Sequence, residues 1–104
     1  MDVIKDMLRE ELENSLRIRE RYIEELEKIP KGCLRTKVIS GHEYLYRVYR
    51  QGYKVKVSYV GKPSAAHIEK HQKNLELRKT YKESIKKLDQ QIRYLRKVIN
   101  VRTR

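Results

Sequence analysis

Basic residues alternate with other residue types through the middle of this chain, where the pattern has the two-residue period of a β-sheet. Residues 31–62 contain eight lysines and arginines and a single acid, Glu43. Guanidinium and ammonium groups bind phosphate oxygens, and a tyrosine ring among them can stack on a base or hydrogen-bond to a phosphate. The spacing therefore predicts a sheet face that binds nucleic acid. Its candidate binding residues are Arg35, Lys37, Arg47, Tyr49, Lys54 and Lys56.

Metal binding and catalysis use clusters of histidine, cysteine and acidic side chains, and here such residues are scattered. His67 and His71 lie one helical turn apart, a spacing that can chelate a metal. A closed zinc site would need two further ligands, and only Cys33 and His42 are obvious. The chain has no paired acids in its basic region, no glycine-rich phosphate loop and no nucleophile elbow. We therefore predict a protein that is not an enzyme, with no catalytic residue, no metal and no cofactor.

The alternation through residues 43–60 predicts a β-hairpin with two chemically different faces. A two-residue turn at Gln51-Gly52 would pair Tyr46 with Val57 and gather tyrosines and valines on one side. The other side would then hold most of the basic residues. We expect the tyrosine side to pack against the rest of the protein and the basic side to face water or a polyanion.

The preceding run, residues 33–39, extends the hairpin to a three-stranded meander. A three-residue loop at 39–41 would place a glycine in the left-handed conformation and pair Lys37 with Glu43. A slip of one residue would turn Arg35 and Lys37 toward the packing side, so the pattern favours an odd-length loop.

Helical patterns lie on both sides of the meander. Asp2 can cap a first amphipathic helix, whose apolar stripe is interrupted by one cation, Arg19. The apolar members of this stripe are Ile4, Leu8, Leu12, Leu16, Ile23 and Leu26. Ser64 can cap a second helix with a heptad seam at Tyr81, Ile85, Leu88, Ile92, Leu95 and Ile99. The predicted fold is α+β, with two long antiparallel, coiled-coil-like helices flanking a three-stranded antiparallel β-meander. The chain would form a single domain, 1–104, with helices at about 2–29 and 64–101 and the meander at about 33–60.

Composition narrows the class of protein. The chain has 104 residues, a net charge of +12, 38% hydrophobic residues and neither tryptophan nor phenylalanine. Such a chain cannot enclose a large substrate cavity. The single cysteine and the absence of an apolar leader or membrane span predict a cytoplasmic protein without membrane contact. Because two helices and a small sheet bury little apolar surface, we also expect a homodimer formed through the helices. A monomer with exposed apolar residues is the alternative.

The run GHEYLYRVYRQGYKVKVSYVGKP resembles a stretch in small uncharacterised proteins of Gram-positive bacteria and their mobile elements, where it lies between two charged helices. The matching residues are Tyr44, Tyr46, Tyr49, Arg50, Gly52, Lys54, Val55, Tyr59, Gly61 and Lys62. More distantly, the sheet is similar to the three-stranded N-terminal DNA-binding domain of tyrosine integrases, which place a sheet face on the DNA major groove. The chain contains no counterpart of their catalytic domain, so this resemblance implies the binding mode alone.

The sequence therefore predicts a nucleic-acid-binding protein of a phage or mobile element, with DNA preferred to RNA. The alternative from another class is a protein–protein interaction module, such as a small phage-type inhibitor or adaptor that docks on a nucleoprotein enzyme. A structural dimer without a ligand is a third possibility.

Overall fold

The computed structural model describes the backbone of residues 2–103 and the side chains of residues 2–100. Its elements are α1 (Val3–Lys28), β1 (Cys33–Ile39), β2 (His42–Gln51), β3 (Lys54–Gly61) and α2 (Ala65–Thr103). This order confirms the predicted α+β class. Residue contacts group into two compact units. A helical unit comprises the chain up to Lys28 and from Lys79 onward, and a sheet unit comprises Ile29–Arg78.

Both helices begin at the predicted caps. The Asp2 carboxylate accepts a hydrogen bond from the Lys5 amide at 3.0 Å, and the Ser64 hydroxyl accepts one from the His67 amide at 3.2 Å. These bonds satisfy amides that have no partner within the first turn of a helix.

In the helical unit, the α1 seam differs in detail from the predicted stripe. Ser15 is 1% exposed whereas Leu16 is 37% exposed, so the seam follows the heptad spacing through Ser15. The Ser15 hydroxyl accepts a hydrogen bond from the side-chain amide of Gln91 on α2 at 2.9 Å. On α2 the predicted seam is confirmed, since Ile92, Leu95 and Ile99 are buried.

Contacts across this unit confirm that the helices are antiparallel. Tyr22 meets Tyr81 edge to face with ring centroids 5.6 Å apart, while Arg19 pairs with Asp89, farther along α2. The arginine in the predicted apolar stripe is therefore half-buried but paired with an acid on the facing helix. This ion pair accounts for a cation within the seam.

The sheet unit contains an antiparallel meander with strand order β1-β2-β3, as predicted. The β2–β3 turn is Gly52-Tyr53 rather than Gln51-Gly52, so Tyr46 pairs with Tyr59. Gly52 has φ 61°, which suits the first central position of a two-residue turn. The register differs from the prediction by two residues, and an even shift leaves every side chain on its expected face.

The β1–β2 turn contradicts the predicted three-residue loop. Ile39 pairs with His42 and Lys37 pairs with Tyr44, which leaves a two-residue loop. Ser40 and Gly41 both have positive φ, 51° and 80°, the conformation that a tight hairpin turn of this kind needs. The prediction reserved the left-handed conformation for glycine, and Ser40 also adopts it. The one-residue shift moves Arg35 and Lys37 to the tyrosine side of the sheet.

The packed side of the sheet is also the opposite of the predicted one. Leu45 is only 4% exposed, whereas Val55, Val57 and Tyr59 on the other side are 61%, 55% and 58% exposed. Gly61 is the strand partner of Leu45, and the His67 ring lies next to it. A Cβ atom added at residue 61 would lie 3.1 Å from the His67 Nε2, so the absence of a side chain there leaves room for the ring. The first turn of α2 therefore lies close to the Leu45 side of the sheet.

Among residues 2–103, neither helix contains an apolar stretch long enough to cross a bilayer.

Candidate nucleic-acid interface

One side of the sheet, called the tyrosine face below, combines exposed aromatic, apolar and basic side chains. The antiparallel register places on it Cys33, Arg35, Lys37, Tyr44, Tyr46, Val48, Arg50, Val55, Val57 and Tyr59. None of these residues is acidic. Because successive side chains of a strand point to opposite sides, all members of this set share one surface.

Three tyrosines form the centre of this face. The Tyr46 and Tyr59 rings are 5.6 Å apart at their centroids and meet edge to face, and the Tyr44 and Tyr59 rings are 6.3 Å apart and tilted. We call Tyr44, Tyr46 and Tyr59 the tyrosine triad. Edge-to-face and tilted contacts stabilise aromatic pairs and hold the rings in defined orientations. Tyr59 is 58% exposed and Tyr44 and Tyr46 are half-buried, so Tyr59 is the most accessible ring of the triad.

Two cations flank the triad on the outer strand β1. The Lys37 ammonium lies over the Tyr46 ring, 5.3 Å from its centroid, and Arg35 is paired with Tyr46 across the strands. Both basic side chains are exposed. A cation over an aromatic face is attracted by the ring quadrupole, which positions Lys37 beside the triad. Positive charge and aromatic surface are therefore adjacent at this edge of the face.

The opposite side of the sheet is called the leucine face, because Leu45 is buried there. It holds the remaining predicted binding residues, Arg47, Tyr49, Lys54 and Lys56. Arg47 is already engaged: its guanidinium donates to the Lys31 carbonyl at 2.7 Å and lies 4.2 Å from the Tyr49 ring centroid. Lys54 and Lys56 are exposed. The structure thus joins Arg35 and Lys37 to the triad and separates them from the other four.

Sequence reasoning missed the triad as a binding surface because it assigned those tyrosines to the packed side. It also left Arg50, which lies on the tyrosine face, out of the candidate set. The available signal was Ser40-Gly41, since a serine–glycine pair suits a two-residue turn as well as a longer loop. A two-residue loop at Ser40-Gly41 places Arg35 and Lys37 beside the tyrosines.

Basic residues also line one side of α2 within the helical unit. They are exposed and recur at spacings of three, four and seven, so they form a stripe away from the buried heptad seam. This stripe, the α2 lysine stripe, comprises Lys79, Lys82, Lys86, Arg93 and Lys97.

Metal-binding groups do not assemble in the part of the chain that the structure describes. No three His, Cys, Asp or Glu side chains of residues 2–100 are placed to share a metal ion. Cys33 is a free, exposed thiol at the start of β1.

Comparison with known proteins places the chain in a family. No curated protein and no solved structure matches it. A family model described as "Domain of unknown function (DUF6788)" matches residues 4–70, from α1 through the whole sheet to the start of α2. Because the match covers more than half of the chain and includes the tyrosine face, the chain belongs to the DUF6788 family.

Proposed function

We propose that this protein binds nucleic acid, without catalysing a reaction on it, through the tyrosine face of its sheet. The observation that supports this proposal most directly is the accessible tyrosine triad with Arg35 and Lys37 beside it and no acidic residue on the same face. Basic side chains attract and position phosphates, and aromatic rings offer stacking surface to bases.

Exposure of the face favours a binding role over a purely structural one. Burial usually stabilises valine and tyrosine on a sheet, yet Val55, Val57 and Tyr59 are each more than half exposed. A contiguous apolar and aromatic patch on a protein surface commonly marks an interaction site. The surrounding positive charge selects for an anionic partner.

The other basic groups then have a secondary role. Lys54 and Lys56 on the leucine face and the α2 lysine stripe raise the positive potential around the protein and speed the approach of a polyanion. We propose DNA rather than RNA as the ligand, and a phage or bacterial mobile element acting in the cytoplasm as the biological setting. These proposals rest on the resemblance to mobile-element proteins.

A homodimer is also part of this proposal. Near the start of α1, Val3, Ile4 and Met7 are 64%, 56% and 62% exposed although Ile4 belongs to the predicted apolar stripe. Association of two copies would cover these side chains and stabilise the dimer by removing apolar surface from water.

A protein partner is the second candidate, and one observation favours it. Val55 and Val57 lie on β3, an outer strand of the sheet, which can pair with a strand of another protein. An acidic partner could then cover the valines while its carboxylates meet Arg35 and Lys37.

Fluorescence anisotropy with labelled duplex DNA, single-stranded DNA and RNA tests the proposal across a salt series. Each cation that contacts a phosphate adds about 0.7 to the slope of log affinity against log salt for a single strand and about 0.9 for a duplex. The double variant R35Q/K37Q should therefore flatten the slope by about 1.4 to 1.8 and weaken binding at low salt.

The matched control is K54Q/K56Q, which removes the same charge from exposed positions on the other face of the same sheet. It should change the slope by less than half as much. Equal effects of the two variants would refute the tyrosine face as the contact surface. If the wild-type protein binds none of the three nucleic acids at low salt, nucleic-acid binding is wrong and the protein-partner candidate replaces it.

A further inference from the structure

The tyrosine face has the geometry of a stacking surface. We infer that its ligand is a single strand, with bases stacked on the tyrosine triad and the sugar-phosphate backbone along β1. This inference rests on the proposed function and specifies the class of nucleic acid and its orientation on the sheet.

The first argument is the chemistry at the tips of the side chains. A protein reads duplex DNA in the major groove through hydrogen-bond donors and acceptors that match base edges. Val48, Val55 and Val57 form an apolar area on β2 and β3 that has no such groups, and Arg50 lies beside Val55 at the edge of this area. An apolar surface gains little from base edges, but it can contact the flat faces of bases, which a duplex keeps stacked inside.

The second argument is the arrangement of the rings. Tyr46 and Tyr59 are neighbours across β2 and β3, and their edge-to-face contact holds both rings in place before a ligand arrives. Rings held in advance lose little conformational freedom on binding, which improves affinity. Stacking of a base on such a ring is possible for any base, so we expect little dependence on sequence.

The third argument is the order of side chains across the sheet. Arg35 and Lys37 lie on β1, Tyr44 and Tyr46 lie on β2, and Tyr59 lies on β3. Neighbouring strands are about 4.8 Å apart, so the cations are one strand from the first rings and two strands from Tyr59. A strand of nucleic acid whose phosphates contact β1 can therefore extend its bases over β2 and β3.

The test uses the full-length protein and three labelled probes of about 12 nucleotides, a length within the usual site size of a single-strand-binding surface. The probes are an oligothymidine strand, a duplex of equal length, and an abasic strand that keeps the phosphates and lacks bases. At a salt concentration near physiological, wild type should bind the oligothymidine strand at least tenfold more tightly than the duplex or the abasic strand.

Variants of Tyr59 separate stacking from charge. Y59L removes the ring and should weaken oligothymidine binding roughly 5- to 150-fold, the range that corresponds to the loss of one stacking aromatic residue. It should leave abasic-strand binding unchanged. Y59F retains the ring and should stay within about twofold of wild type. Y53L is the matched control, because Tyr53 is fully exposed in the β2–β3 turn and outside the triad.

The outcomes distinguish this inference from the broader proposal. If wild type binds duplex and single strand equally and Y59L has no effect, while R35Q/K37Q still weakens binding, then the protein binds nucleic acid and the stacking inference is refuted. Urea unfolding of each variant, compared with wild type, tests whether the substitution destabilises the fold. Loss of all nucleic-acid binding by wild type would refute both.

Discussion

Removing the Leu45 side chain tests the central structural premise, that the leucine face is the packed side of the sheet. Leu45 is 4% exposed, and buried leucine-to-alanine substitutions cost about 2–5 kcal/mol. Leu34, on the same face of the adjacent strand β1, is only half-buried, so Leu45 packs in a shallow core. We therefore expect L45A to lower the free energy of unfolding by about 2–3 kcal/mol, the lower part of that range. Typical domains are stable by only about 5–15 kcal/mol, so the loss is large.

Val57 provides the contrast, since it lies on the tyrosine face and is 55% exposed. We expect V57A to cost at most about 1 kcal/mol, mainly through the lower β-propensity of alanine. Equilibrium urea unfolding followed by tyrosine fluorescence suits the comparison, because five of the eight tyrosines lie between Tyr44 and Tyr59.

The comparison of these two variants can refute the reasoning. If V57A costs as much as L45A, the tyrosine face is packed in solution and is not available to a ligand. If L45A is neutral, the leucine face is not the core of the sheet unit. Protein concentration should be varied in both cases, because a dimer that covers Val57 would make its effect depend on concentration.

Two further predictions concern the backbone and the association of the chain. G32A should lower the free energy of unfolding by about 2 kcal/mol or more, since residue 32 has φ 109° and a Cβ there would lie 2.2 Å from the Val48 carbonyl oxygen. Urea unfolding measures this loss. A G32A variant as stable as wild type would contradict the close approach of the two backbone segments. M7E should lower the mass observed by sedimentation without destabilising the monomer, because Met7 is 62% exposed within one chain. If the wild-type protein already sediments as a monomer at high micromolar concentration, the dimer is refuted. Charge substitutions at Ile92 or Leu95 would not test the dimer, since both side chains are already buried within a single chain.

The position of the exposed face changes which residues are expected to matter for binding. The predicted register placed the six candidate residues on one side of the sheet, whereas the observed register divides them between two sides. Arg47 illustrates the difference, because its guanidinium is held by the Lys31 carbonyl and the Tyr49 ring. Such a group stabilises the sheet unit and has less freedom to follow a ligand.

Local features of the sequence were sufficient to predict the elements. The caps at Asp2 and Ser64, the heptad seam of α2 and the alternation in β2 and β3 each depend on neighbours within a few residues. The period of the apolar residues distinguishes helix from strand, and turn residues mark where each element ends. The fold class followed from these signals without information about distant contacts.

The face of the sheet that is buried, and hence the candidate site, was decided by tertiary structure. Alternation determines which side chains share a face, but both faces of this sheet have apolar members, Leu45 on one and Val57 on the other. The start of α2 lies close to the Leu45 side, where Gly61 leaves room for the His67 ring, and no local pattern specifies that choice. The register of β1 was set by the β1–β2 turn, where Ser40 adopts a positive φ of 51°, and the alternation of side chains along the strands does not specify the length of that turn.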